Sequence, residues 1–148
     1  MIGLDTNVLA RYYIEDKADA QAMRQRAAAR RLIESGKPLM VCKTVLLEFE
    51  WVMRGYYGFS SAQALSVLRH LLALAHVNIE DRSTVEHALS HCEAGIELAD
   101  AMHHASYRAC ASMASFDDQK FARRAKKLGL APVVVIPATE QVGLAMRS

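Results

Sequence analysis

Four acidic residues, Asp5, Glu48, Asp100 and Asp117, stand where a carboxylate has chemistry open to it. Asp5 directly follows the apolar stretch MIGL, and Asp117 directly follows SMASF at residues 112 to 116. Each is thus the first residue beyond an expected strand, placed at the carboxyl edge of a sheet, where open α/β folds bind ligands. Glu48 lies in the helical stretch VLLEFEWVMR. At ~100° per residue it falls between Trp51 and Val52, on the apolar side of the wheel, where an ionised carboxylate is costly without a partner. Glu50 and Arg54 share the polar sector instead. Helical side chains lean toward their own N-terminus, so Glu48 leans back to the strand end before it. Asp100 sits in the first turn of its helix, where free amides and the helix dipole stabilise negative charge.

Singly, each acid has an ordinary structural explanation: a turn or cap for Asp5, a surface acid for Glu48, helix-start chemistry for Asp100, a strand-end turn for Asp117. Together at one sheet edge they would repel one another, and such a site stays ionised only with a multivalent cation beside it. Oxygen-only ligation points to magnesium or manganese rather than zinc. The neighbouring His103 and His104 are a poor metal pair, since adjacent helical residues point ~100° apart.

The elements that must position these acids alternate along the chain. Residues 1 to 4, 39 to 43, 76 to 81, 112 to 116 and 133 to 136 read as strands. Helices are expected at 19 to 35, 45 to 54, 60 to 74, 82 to 93, 98 to 111 and 118 to 128, with another after a cap at Thr6 or Asn7; Thr44 is the expected cap of the helix that carries Glu48. Strands separated by helices, with almost no hairpin signals, predict crossover connections and a mostly parallel sheet covered by helices on both faces. There is no repeat and no low-complexity linker.

Composition fits that frame. A chain of 148 residues, 52% hydrophobic and 23% charged, has the length and balance of one compact domain over 1–148. Cys42, Cys92 and Cys110 are three, with no C-x-x-C spacing, which argues against a disulfide framework and a zinc ribbon and for a reduced cytoplasm. The N-terminus lacks the basic and apolar regions of a secretory signal, and no apolar run nears the ~20 residues of a membrane span. Net charge is only +2, but basic residues gather at Arg24, Arg26, Arg30 and Arg31 and again at Arg123, Arg124, Lys126 and Lys127. Alone these are solvated helix faces; beside an active site they become a track for a polyanion.

Four stretches, LDTNVLARY around Asp5, LLEFEWVMR around Glu48, LADAMH around Asp100 and SFDDQKFARRAKKLG around Asp117, resemble in order and spacing the motifs of the PIN domain, and specifically of VapC-type toxin ribonucleases of bacterial toxin–antitoxin pairs. The likeness spans nearly the whole chain. It implies a three-layer α/β/α sandwich around a mostly parallel sheet of about five strands. Asp5, Glu48, Asp100 and Asp117 would be the catalytic acids; Asp5, Asp100 and Asp117 would hold one or two magnesium or manganese ions, and Glu48 would orient or deprotonate the attacking water. Asn7 and Ser115 match polar positions that assist. Glu97 stands where many relatives carry an aspartate, and is a candidate auxiliary.

The same resemblance implies cleavage of single-stranded or looped RNA, often transfer or ribosomal RNA, leaving a 5′-phosphate and a 3′-hydroxyl, together with inhibition by a cognate antitoxin. It also implies a homodimer or a toxin–antitoxin hetero-oligomer. An acidic pocket repels RNA, so phosphate contacts are expected from its rim, with Arg11, Arg24, Arg31, Arg123 and Lys126 as candidates. Tyr12, Tyr13, Tyr56 and Tyr57 are candidates for stacking on bases or for packing. Two other enzyme-like readings lack residues: an aspartate-based phosphatase wants a carboxylate where Asn7 stands, and a phosphoacceptor receiver domain needs paired acids after its first strand. A degenerate PIN domain that binds RNA or a protein without cutting is the remaining alternative.

Overall fold

In the computed structural model residues 1–139 are described; residues 140–148, the end of the expected single domain, lie outside them. The chain starts with β1 (Ile2–Gly3) and passes into α1 (Thr6–Tyr13) and α2 (Ala20–Ile33). Next come β2 (Leu39–Val41) and α3 (Lys43–Trp51), which continues as a π-helical turn over Val52–Tyr56. Then follow α4 (Ser61–Ala73), β3 (Val77–Ile79), α5 (Arg82–Glu93), α6 (Leu98–Ser106), β4 (Ser112–Ala114), α7 (Phe121–Leu128) and β5 (Val133–Val135). The class is α/β with parallel strands, as expected.

The helix starts are explained by capping. Asp19 accepts from the amides of Gln21 and Ala22 and so opens α2. Ser60 and Gln63 form a reciprocal capping box that opens α4. Two caps differ from expectation. α1 is capped by Asp5, whose Oδ1 accepts from Thr6 N at 2.8 Å, rather than by Thr6 or Asn7. α3 starts after Cys42 rather than at Thr44, and the free amide of Lys43 finds Glu80 Oε1 at 2.9 Å across the sheet edge. In both cases the strand stops earlier than its apolar residues suggested, and the helix begins at once. Helix α6 ends at Ser106 rather than near Ala111, and just beyond it the backbone amide and the guanidinium of Arg108 both donate to the Ala105 carbonyl, at 3.3 and 3.0 Å.

The sheet departs further. β1, β2 and β3 form one parallel sheet in that order, with Ile2 opposite Leu39 and Val41 opposite Ile79. β4 and β5 form a separate parallel pair, and among the described residues no ladder joins β1 to β4. The expected sheet of five is thus three plus two. Nor are both faces covered: Met40 and Asn78 alternate with buried neighbours and are exposed. The core lies on the other face, where Leu39, Val41 and Val77 meet Leu9, Ile33, Leu46, Phe49, Leu71 and Leu89.

Candidate functional site

The end of β1 and the start of α1 place Asp5, Thr6 and Asn7 on the wall of a cavity of about 330 Å³. Ala10 and Arg11 extend that wall along α1, and Glu48, Trp51 and Val52 face it from α3. Asp16 and Asp19, in the connection to α2, and Tyr56 and Tyr57, at the π-helical turn, complete it. Asp5 and Glu48, remote in sequence, are therefore brought together, and Asn7 and Arg11 join them.

Glu48 reaches the cavity for a reason other than the expected one. The sector of α3 that holds Glu48, Trp51 and Val52 does not face the core; Glu48 and Trp51 are exposed, while Leu46 and Phe49 take the buried side. The apolar wheel around Glu48 is the cavity wall itself. Arg11 is held in place: its Nε donates to Gln25 Oε1 at 2.9 Å and its Nη1 to Tyr57 Oη at 3.5 Å.

Asp100, Asp117 and Glu97 do not line this cavity. They form a second acidic group in which Asp100 is half-buried, and its carboxyl is held above the usual aspartate range by burial first, then by the charges of Asp117 and Glu97, against the pull of His103. Ser115 Oγ accepts from Asp117 N at 3.1 Å, and Asp117 Oδ1 accepts from Lys120 N at 3.2 Å, so Ser115 shapes the turn that carries Asp117. Helix α7 consequently begins at Phe121, not at Asp118. Glu97 also borders a larger cavity of about 660 Å³ beside the Glu50 and Arg54 ion pair.

Asp5 and Glu48 line the cavity and Asp100 and Asp117 do not, and among the described residues no three His, Cys, Asp or Glu side chains converge as a metal-holding set. The donor chemistry nevertheless suits a hard cation. Lys and Arg side chains pair with Glu15, Glu34, Glu50, Asp81, Glu86 and Glu93, but among the described residues with none of Asp5, Glu48, Asp100 and Asp117. In the cavity wall the hydroxyl of Thr6, a residue only 6% exposed, has no hydrogen-bond partner, an orphan that an oxygen-coordinating or hydrated ligand would satisfy.

Of the basic candidates, Arg11 alone among Arg11, Arg24, Arg31, Arg123 and Lys126 lines the cavity. Arg24 and Arg31 are exposed on α2, and Arg123 and Lys126 on α7. Sequence reasoning missed Asp16 and Asp19, which sit in a connection without periodicity, and Trp51, which it placed on the apolar side of the α3 wheel without a role. The three cysteines are free thiols, and burial pushes Cys92 up to about 12, which makes it inert. Among the described residues no helix is long and apolar enough to cross a membrane.

A comparison with curated proteins found no match. The family model of the PIN domain matches residues 2–127, a stretch that takes in all four acids. With that match over most of its length, the chain belongs to the PIN domain family, whose members are generally nucleases.

Proposed function

We propose that this protein is a divalent-metal-dependent endoribonuclease of the VapC type, the toxin of a bacterial toxin–antitoxin pair, cutting single-stranded or looped RNA such as transfer or ribosomal RNA. The observation that carries the reading is the cavity that Asp5, Glu48 and Arg11 line together with Thr6, whose hydroxyl has no partner. Family membership supplies the reaction class.

Asp5, Asp100 and Asp117 are the residues that would hold magnesium or manganese, one ion or two. The bound ion would supply charge neutralisation at the phosphate and a more acidic water. Glu48 then accepts the proton of the attacking water at a carboxylate oxygen. Arg11 contributes a guanidinium, anchored by Gln25 and Tyr57, to a phosphate oxygen of the strand, offsetting the repulsion that the acids exert on RNA. Asn7 lies on the same wall and orients the strand or its water; Ser115 holds the turn of Asp117. Arg24, Arg31, Arg123 and Lys126 supply longer-range attraction from α2 and α7. Glu97, whose charge adds to burial and Asp117 in acting on Asp100, is the candidate auxiliary beside it.

One observation favours a second reading. That no three acidic, His or Cys side chains converge as a metal-holding set among the described residues suits a PIN domain that binds RNA or a protein partner without cutting it. Incubating wild type, Asp5→Asn and Asp100→Asn with a mixed RNA pool, with and without magnesium, manganese or chelator, decides between the two. Chelator-sensitive cleavage lost in both variants is the expected result; equal product from all three proteins would end the enzyme reading.

A further inference from the structure

Two large aromatic residues stand in the open on the wall of the acidic cavity: Trp51 is 65% exposed and Tyr56 is 73% exposed. Exposed rings of this size are uncommon enough to need a reason, since their burial would be strongly favourable. Both are held by local structure. Helix α3 widens into its π-helical turn directly after Trp51, a feature that recurs at functional sites. The indole lies against Gly55, where an added Cβ would stand 3.5 Å from Trp51 Cε2. Tyr56 is braced edge-on by Tyr57, with ring centroids 4.8 Å apart and planes at 77°. Tyr57 is tied down in turn, accepting from Arg11 and donating to Asp16 Oδ2 at 3.4 Å.

We propose that Trp51 and Tyr56 form a stacking platform for unpaired nucleobases, beside the scissile position, with Tyr57 as its positioning residue. The inference rests on the reading of this cavity as a nucleic-acid site and adds what selects the strand. The chemistry of the wall favours a base as occupant. Beside the rings stand Asp5, Asp16, Asp19 and Glu48 with the guanidinium of Arg11, so the wall joins an aromatic surface to a cation that can take a phosphate. A nucleotide offers a π-face to the rings and a phosphate to Arg11. Bases within a duplex have both faces covered by their neighbours, so the platform accepts only unstacked ones.

The chain has one tryptophan, so its fluorescence reports on the platform alone. The experiment titrates the Asp5→Asn protein, which prevents turnover, with a single-stranded oligoribonucleotide, with its duplex, and with the same strand carrying abasic sites. Saturable quenching by the single strand, weak for the duplex and the abasic strand, is expected. In anisotropy titrations Trp51→Ala and Tyr56→Ala should each raise the Kd for the single strand roughly 5- to 100-fold, the range of base–aromatic stacking, and Trp51→Phe should recover most of the loss. Both residues are exposed, so these variants keep the fold. Equal quenching by duplex or abasic strand, or unchanged Kd in Trp51→Ala, overturns the platform and leaves metal-dependent cleavage by the wild type untouched. Quenching without cleavage upholds the platform and removes the nuclease.

Discussion

The two sheets of this molecule are built from similar strands and end up in different surroundings. In β2 and β3, Leu39 and Val41 are 0% exposed and Val77 2%, with α4 and α5 packed against β3. In β4 and β5 the inward residues Met113 and Val134 are only half-buried, and Val133 is 58% exposed. Small side chains explain part of this, since Ser112 and Ala114 remove little apolar area from water. The lesson is functional as well. Asp5 and Glu48 stand on the well-packed part, whereas Asp117 hangs from the thin one.

That contrast can be broken by mutation. Phe49→Ala, at a fully buried position, should cost about 3–5 kcal/mol in denaturant unfolding, against under about 0.5 kcal/mol for Val135→Ala. Comparable losses would mean that the second sheet is packed as tightly as the first. Next in size is activity. Asp5→Asn and Glu48→Gln should each lower kcat at least ~100-fold, a loss of about 2.7 kcal/mol of transition-state stabilisation, and Asp117→Asn should lower it less. A larger loss at Asp117 would show that the two acidic groups close onto one site in the working protein. Amide hydrogen exchange sharpens the comparison locally: the Ser115 amide, bonded to Val135 O, should exchange at least ~10-fold faster than the Leu4 amide, bonded to Met40 O, a difference of about 1.4 kcal/mol in opening.

The smallest effect concerns Asp100. Its carboxyl lies above the ordinary 3.8 because of burial, then Asp117 and Glu97, so the folded chain binds this proton more tightly than the unfolded one. The resulting stabilisation is complete below pH 3.8 and is lost as pH rises through the raised value. In chelator at pH 7, Asp100→Asn should therefore be more stable than wild type, by under about 1 kcal/mol at this half-exposed position. The gap should close in acid, and a gap that widens there would reverse the assigned cause.

Much of the fold was legible because it is local. Helix α5 covers Arg82–Glu93 as its periodicity predicted, α2 starts after Asp19, and Gly129 ends α7 with φ +65° in the left-handed region that favours glycine. The strands were found in place and in order, though shorter than their apolar runs. The site was legible in its parts: Asp5, Asn7, Arg11 and Glu48 share one wall. What misled was orientation. A helical wheel shows which residues share a side of α3 but not which side meets the core; the apolar sector that holds Glu48 and Trp51 turns out to line the cavity.

Sequence alone determined the bounds of α5, the start of α2 and the stop of α7, the parallel α/β class, and the identity and order of the acids, because capping, periodicity and glycine conformations act within a few residues of one another. Only the tertiary structure decided that β4 pairs with β5 and not with β1, that Asp100 meets Asp117 and Glu97, and that Trp51 lines the cavity. Those outcomes depend on which distant surfaces bury most against one another, a competition among contacts far apart in the chain that no local pattern encodes.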